Sequence, residues 1–282
     1  MSLDKRLNAY RPDLADSRLK GEVKAEAYRD GEPRIVVAGL ADLRQKPEDQ
    51  APLDAQLWYG EEVLVFDEAK DWAWVQAKGD GYVGYTRSSN LGKPVETPVS
   101  HWVSVPLTFR FPAPDIKAPP LDRLSMGARL RSVGAKDSFL ELQDGGFVYE
   151  KHCSEEGVLE EDWAKTALAF LDVPYLWGGR STLGLDCSGL VQTALLLAGR
   201  KPLRDSSMLR DQESLGPALP PDSPRQRGDL LFSPDHLVIA LGPNKIVHCN
   251  AFDLKTVRED FTAFQQRLAE RGEEITSLRR PA

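Results

Sequence analysis

Residues 173–192, VPYLWGGRSTLGLDCSGLVQ, decide how the second half of the chain is read. Asp186 is a strong helix N-cap, so the sequence predicts a helix from Cys187 to about residue 198. Val191, Ala194, Leu195 and Ala198 lie on the face shared by Cys187, and Gly199 supplies the stop. Cys187 then occupies the first turn, where unpaired backbone N–H groups and the positive end of the helix dipole lower a thiol pKa. Packing also fits, because free cysteine is among the most buried residue types. Gly178-Gly179 and Gly189 weigh toward chemistry, since they let chain or ligand come close to the sulfur.

A cysteine nucleophile needs a base, and the chain holds four histidines, His101, His152, His236 and His248. The last two bracket a hairpin formed by HLVIAL and KIVHCNA. A loop with an odd residue count, such as Gly242 to Asn244, pairs position 248 with 238 and puts both imidazoles on one face in diagonal proximity. A four-residue loop separates them. With the odd loop, His236 is the candidate base and His248 the group that orients it, while Cys249 points to the other face. A metal site is disfavoured: His248 and Cys249, adjacent on a strand, cannot both face one ion, and neither Cys-x-x-Cys nor His-x-x-x-His occurs. No metal and no cofactor are expected.

Before this region, LEEDWAKTALAFLDVP predicts a helix with Leu159, Trp163, Ala167, Phe170 and Leu171 on one face, ended by Pro174. Two helices and an antiparallel hairpin over residues 155–282 make the class α+β. Upstream, residues 43–87 and 109–152 repeat one pattern of Pro-rich entry, short alternating runs and an Asp-Gly turn, at Asp80-Gly81 and Asp144-Gly145. Trp72 and Trp74 find counterparts in Ser138 or Phe139 and in Leu140. Two small all-β barrels follow, over 34–98 and 99–154, behind a polar arm at 1–33.

The chain has 282 residues, 41% of them apolar, and a formal net charge of −7. That suffices for two or three domains, and the scattered cations argue against a nucleic-acid partner. The first 30 residues lack an apolar run and no later segment is long enough to span a bilayer. Three cysteines without dense spacing fit a reducing compartment. The expectation is a cytoplasmic protein that does not engage membranes; its oligomeric state is left open.

PYLWGGRSTLGLDCSGL, then RGDLLF followed by His236, then KIVHCNA resemble the successive motifs of NlpC-type cysteine peptidases, over roughly residues 155–260. The upstream repeats look like the bacterial SH3-like domains that often precede such a domain. The resemblance implies a papain-like catalytic domain in which Cys187 attacks, His236 is the base and His248 orients it. It implies hydrolysis of the γ-D-glutamyl–diamino acid bond of murein peptides, with a free L-Ala amine, in cell-wall recycling. Tyr175 is then placed beside the oxyanion, Asp186 and Ser188 hold the substrate's amine and carboxylate ends, and Ser206 is a further contact. Tyr82, with Tyr85 as alternative, is expected to close the pocket, and Glu48, Asp49 or Asp54 to join the amine pocket. Trp177 is expected to pack, Arg180 to be a solvated or structural charge. Val238 stands where the family has a small residue, and FSPDH lacks its usual aromatic and glycine. A secreted wall hydrolase and an inert SH3-like peptide-binding protein are the alternatives.

Overall fold

The computed structural model describes residues 3–281 and divides into two units, one up to Val158 and one from Leu159 onward. The first unit is built from strands. Its larger sheet has seven strands in the order Leu53–Trp58, Leu40–Arg44, Val83–Arg87, Trp72–Ala77, Glu62–Ala69, Glu32–Val36, Leu91–Gly92. Every pairing in it is antiparallel. Val63, Leu43, Val75 and Trp58 are buried within it. A second set of strands follows over residues 101–155, in sheets of five and three.

The sequence repeat has a structural counterpart. Lys70-Asp71 and Asp137-Ser138 each join a hairpin with both residues at left-handed φ, 50° and 66° in one, 50° and 68° in the other. Such dipeptides match the twist of the strands they connect. Each hairpin also carries a register shift, at Val65/Asp67 and at Ser132/Gly134. Counted from these turns, Trp72 corresponds to Phe139 and Trp74 to Glu141 rather than to Leu140. The segment expected as a polar arm is instead packed. Leu14–Asp16 and Ala27–Arg29 pair in parallel, and Ala9 and Leu14 cluster with Phe66 and Trp74.

The second unit mixes helix and sheet. Its helices are α1 (Trp163–Leu168), α2 (Cys187–Leu197), α3 (Ser206–Asp211) and α4 (Phe261–Glu270). Its sheet runs Ala218–Leu219, Ser277–Arg279, Leu230–Phe232, Leu237–Ala240, Lys245–Asn250, Lys255–Asp260. One face, through Leu231, Val238, Ala240 and Ile246, packs on Phe261, Phe264 and Leu268 of α4. By alternation Leu237, Ile239, Val247 and Cys249 point to the other face, where the Cys249 thiol donates to the Leu185 carbonyl at 3.1 Å, just ahead of α2.

Helix α1 is shorter than its apolar spacing suggests. The Asp162 carboxylate accepts from Lys165 N–H and so caps the helix at Trp163, and Asp172 adopts φ 64° after it. Leu159 and Leu171 are exposed as a result, while Ala167 and Phe170 are buried. Helix α2 begins at the expected residue but is buried on nearly every side rather than on one face.

Candidate active site

Asp186 does more than cap α2. Its carboxylate accepts from Gly189 N–H at 2.6 Å and from Gly178 N–H at 2.9 Å, drawing the glycine turn over the helix start. Close packing requires glycine here: a Cβ on Gly189 would lie 2.2 Å from the Gly179 carbonyl oxygen. The same carboxylate takes both Arg204 terminal nitrogens, at 3.0 and 2.7 Å. Arg204 also donates to Ser188 Oγ at 2.8 Å and is 1% exposed. A buried guanidinium held by one carboxylate and a hydroxyl satisfies the rule that buried charges be paired and hydrogen-bonded. Asp186 and Ser188 are therefore not idle groups awaiting a ligand, because an arginine already engages both.

Cys187 is buried, and its thiol is pushed up to about 12, chiefly by burial and then by the Asp186 charge. The backbone N–H groups of Leu237 and Ser188 and the charge of Arg204 act the other way. The lowered pKa expected from the helix start is not what the resting site has. A helix N-terminus contributes at most about 2 kcal/mol, and removing a thiolate from water costs more here.

The hairpin register is the one required for a histidine pair. Ile239 faces Val247 and Ala240 faces Ile246, and Leu241 N–H donates to the Lys245 carbonyl, leaving the three-residue loop 242–244. His236 itself lies just outside the strand, in a turn where its carbonyl accepts from Ser233 N–H. His236 Nε2 and His248 Nδ1 are 2.8 Å apart. His248 is 1% exposed and edge-on to Phe264. Burial, followed by the neighbouring His248, lowers His236 to about 3, so this imidazole is neutral at neutral pH and one of its ring nitrogens holds a lone pair. The ring bonds run between the two histidines and to Asn250; neither imidazole is hydrogen-bonded to the Cys187 sulfur. The link is the backbone N–H of Leu237, the residue after His236, which acts on that sulfur.

Tyr175 bridges to Leu185, and its phenol is raised by burial and then by the Cys187 and Asp186 charges. It thus belongs to the same electrostatic neighbourhood. Ser206 opens α3 and is half-buried. Trp177 is 67% exposed, so it does not pack as expected, and Arg180 is buried, which fits the structural and not the solvated alternative for that charge. In the first unit Tyr82 is buried in the Asp80-Gly81 turn, its N–H on Asp80 and its carbonyl taking Ala77 N–H. Tyr85 stacks on Trp74 and accepts from Arg11. Asp49 pairs with Arg87 and Asp54 accepts from Gln45, while Glu48 is exposed. Among the described residues no cluster of three or more His, Cys, Asp or Glu is arranged to hold a metal.

Sequence reasoning missed Arg204 and Glu259. Arg204 stands two residues before Ser206 in PLRDSS. The Glu259 carboxylate lies 3.7 Å from His248 Nε2, on the strand that pairs with the histidine strand.

A reactive-residue pattern of one cysteine at a helix start and two paired histidines on an adjoining sheet defines a cysteine-peptidase type of site. The sequence profile of the NlpC/P60 family matches residues 172–271, and that of the bacterial dipeptidyl-peptidase SH3 domain matches 43–91. Residues 172–271 are thus an NlpC/P60 cysteine-peptidase domain, with an SH3 domain of the dipeptidyl-peptidase type ahead of it in the chain. It is 28% identical over 271 residues to dipeptidyl-peptidase 6 of Lysinibacillus sphaericus, covering 86% of this chain and 98% of the relative. It is 27% identical over 219 residues to the γ-D-glutamyl-L-lysine dipeptidyl-peptidase of Bacillus subtilis, covering 70% and 72%. Among solved structures, an NlpC/P60 family protein from Bacillus cereus shares the fold with a TM-score of 0.76 at 19% identity, over 89% of this chain and 99% of the other.

Proposed function

We propose that the chain hydrolyses the bond between γ-D-glutamate and a diamino acid, meso-diaminopimelate or lysine, in murein peptides that carry a free N-terminal L-alanine. The 2.8 Å His236–His248 pair, set beside the Leu237 N–H that acts on the Cys187 sulfur, carries this reading. The names of the relatives support the substrate class. In this scheme the thiol proton passes to His236 Nδ1, the ring nitrogen not engaged by His248, as sulfur bonds to the scissile carbonyl carbon. Because the thiol is protonated at rest, transfer accompanies attack. The tetrahedral oxyanion is met by the Cys187 backbone N–H at the helix start and by the Tyr175 hydroxyl. The C–N bond then breaks, the amine leaves with the proton from His236, and water hydrolyses the thioester.

Asp186 and Ser188 are the groups assigned to the amine and carboxylate ends of the peptide; because Arg204 already engages both, substrate has to exchange with or add to that contact, and Ser206 adds a hydroxyl. The papain-like arrangement and a second SH3-like barrel over 99–154 belong to the same proposal. So does a cytoplasmic role in peptide recycling. Incubation with L-Ala-γ-D-Glu-diaminopimelate and its lysine counterpart, read by mass spectrometry, is expected to release the free diamino acid. The N-acetylated peptide should be spared. Turnover of the acetylated peptide at the same rate overturns the free-amine requirement, and digestion of intact sacculi with enrichment in the cell envelope overturns the recycling role.

A further inference from the structure

The two histidines share one proton path, and what touches its far end decides which way it points. Ile246 pairs with Glu259 and His248 with Val257, so Glu259 is the diagonal neighbour of His248 on the same sheet face. Its Oε1 lies 3.7 Å from His248 Nε2 and accepts from the Arg267 guanidinium at 2.7 Å. Arg267 is itself braced over the rings of Phe252 and Phe264. A carboxylate facing Nε2 calls for a proton there.

A competitor faces the same nitrogen. Asn250 Nδ2 is 3.2 Å from His248 Nε2, and Asp253 fixes the amide's orientation, donating its N–H to Asn250 Oδ1 and accepting from Nδ2. An amide donor calls for a lone pair on Nε2. A neutral imidazole carries one N–H, so the two demands lead to opposite states of the pair. With the proton on His248 Nε2, Nδ1 accepts from His236 Nε2–H, and His236 Nδ1 is left with the lone pair a base needs. With the proton on His248 Nδ1, His236 Nε2 becomes the acceptor and its Nδ1 is already occupied.

We propose that Glu259, braced by Arg267, is a positioning residue that selects the base-competent tautomer of the His236–His248 pair against the pull of Asn250. This rests on the assignment of Cys187 and His236 above, and it is the second-neighbour logic by which a triad carboxylate fixes an imidazole.

Nitrogen-15 NMR of the histidine-labelled full-length protein tests it directly, since protonated and unprotonated ring nitrogens differ widely in shift. In the wild-type protein both His236 and His248 are expected to carry the proton on Nε2. A wild-type His248 protonated on Nδ1 alone overturns the proposal without any variant. Glu259→Gln should move that proton to Nδ1 and lower kcat about a hundredfold with KM changed less than about threefold. Adding Asn250→Ala to Glu259→Gln should recover at least about fivefold of the lost kcat. Wild-type kcat in Glu259→Gln, or a lost kcat with unchanged tautomers, refutes it. Cys187→Ala separates this from the broader reading: persistent turnover there removes the nucleophile assignment, whereas a silent Cys187→Ala with a fully active Glu259→Gln removes only the role of Glu259.

Discussion

Two buried cysteines of the catalytic unit, Cys187 and Cys249, differ little in what burial does to them and greatly in what surrounds them. Burial raises both thiols, to about 12 and about 11. Cys249 lies mid-strand, donates to a carbonyl and has Thr256 beside it, the environment of a small apolar residue with one weak donor. Cys187 stands at a helix start with two backbone N–H groups acting on its sulfur, one of them from Leu237, the residue after His236, and with a buried Asp–Arg pair beside it. A raised pKa therefore does not distinguish the two thiols; the convergent donors around Cys187 do, and they are the ground on which it is proposed as the nucleophile.

The largest break in the comparison is catalytic. Cys187→Ala is expected to lower turnover of the murein tripeptide by about a thousandfold or more. Cys249→Ala should keep it within about threefold and cost about 1 kcal/mol of stability through the small cavity it leaves. Steady-state kinetics and urea unfolding on both variants check this, and equal losses of turnover would erase the distinction.

The second break lies in the buried ion pair, which Cys249 lacks. Arg204→Met leaves the Asp186 carboxylate with its backbone donors but no counter-charge at a site almost closed to water. The expected loss is about 3–5 kcal/mol, read as a shift in the urea midpoint. A replacement that leaves stability unchanged would mean that Asp186 is held by Gly178 and Gly189 alone. Reducing the cost is the expected effect of Asp186→Asn in the same background, because the unpaired charge is then removed.

Much of this site was legible in the sequence, for identifiable reasons. The α2 start follows from Asp186 as an N-cap, a local property. The histidine pairing depends on the parity of the hairpin loop, which the sequence left open between an odd and a four-residue loop and the register fixes at three residues. The ion pair was not legible, because Asp186 and Arg204 are 18 residues apart and nothing periodic connects them. Glu259 was hidden likewise, since its position depends on how a further strand registers against the histidine strand. In the first unit the Asp-Gly turns were visible, whereas Lys70-Asp71 and Asp137-Ser138 turn with both residues at positive φ and without glycine. The residues at the tips of these hairpins gave no signal, while the duplicated pattern around them did. For α1, apolar spacing overstated the helix because the Asp162 cap overrides it.

The smallest effect is the acid limb of stability, which sharpens the comparison because it belongs to the histidine pair proposed to serve Cys187 and not to Cys249. His236 has its ordinary pKa of 6.5 when unfolded and about 3 when folded. As pH falls below 6.5 the unfolded chain takes up a proton that the folded site refuses, so stability drops by about 1.4 kcal/mol per pH unit. Glu259 adds nothing to this limb above pH 4.5: its folded pKa of about 2 lies below its ordinary 4.5, so its contribution is intact there and is lost progressively as pH falls from 4.5 to 2. Between pH 6.5 and 4.5 the slope is therefore assigned to His236. Urea unfolding of His236→Gln at steps across that window should flatten it, and Cys249→Ala should leave it as in the wild type. An undiminished slope in His236→Gln would show that the proton uptake belongs to another group and that burial does not hold the His236 imidazole neutral.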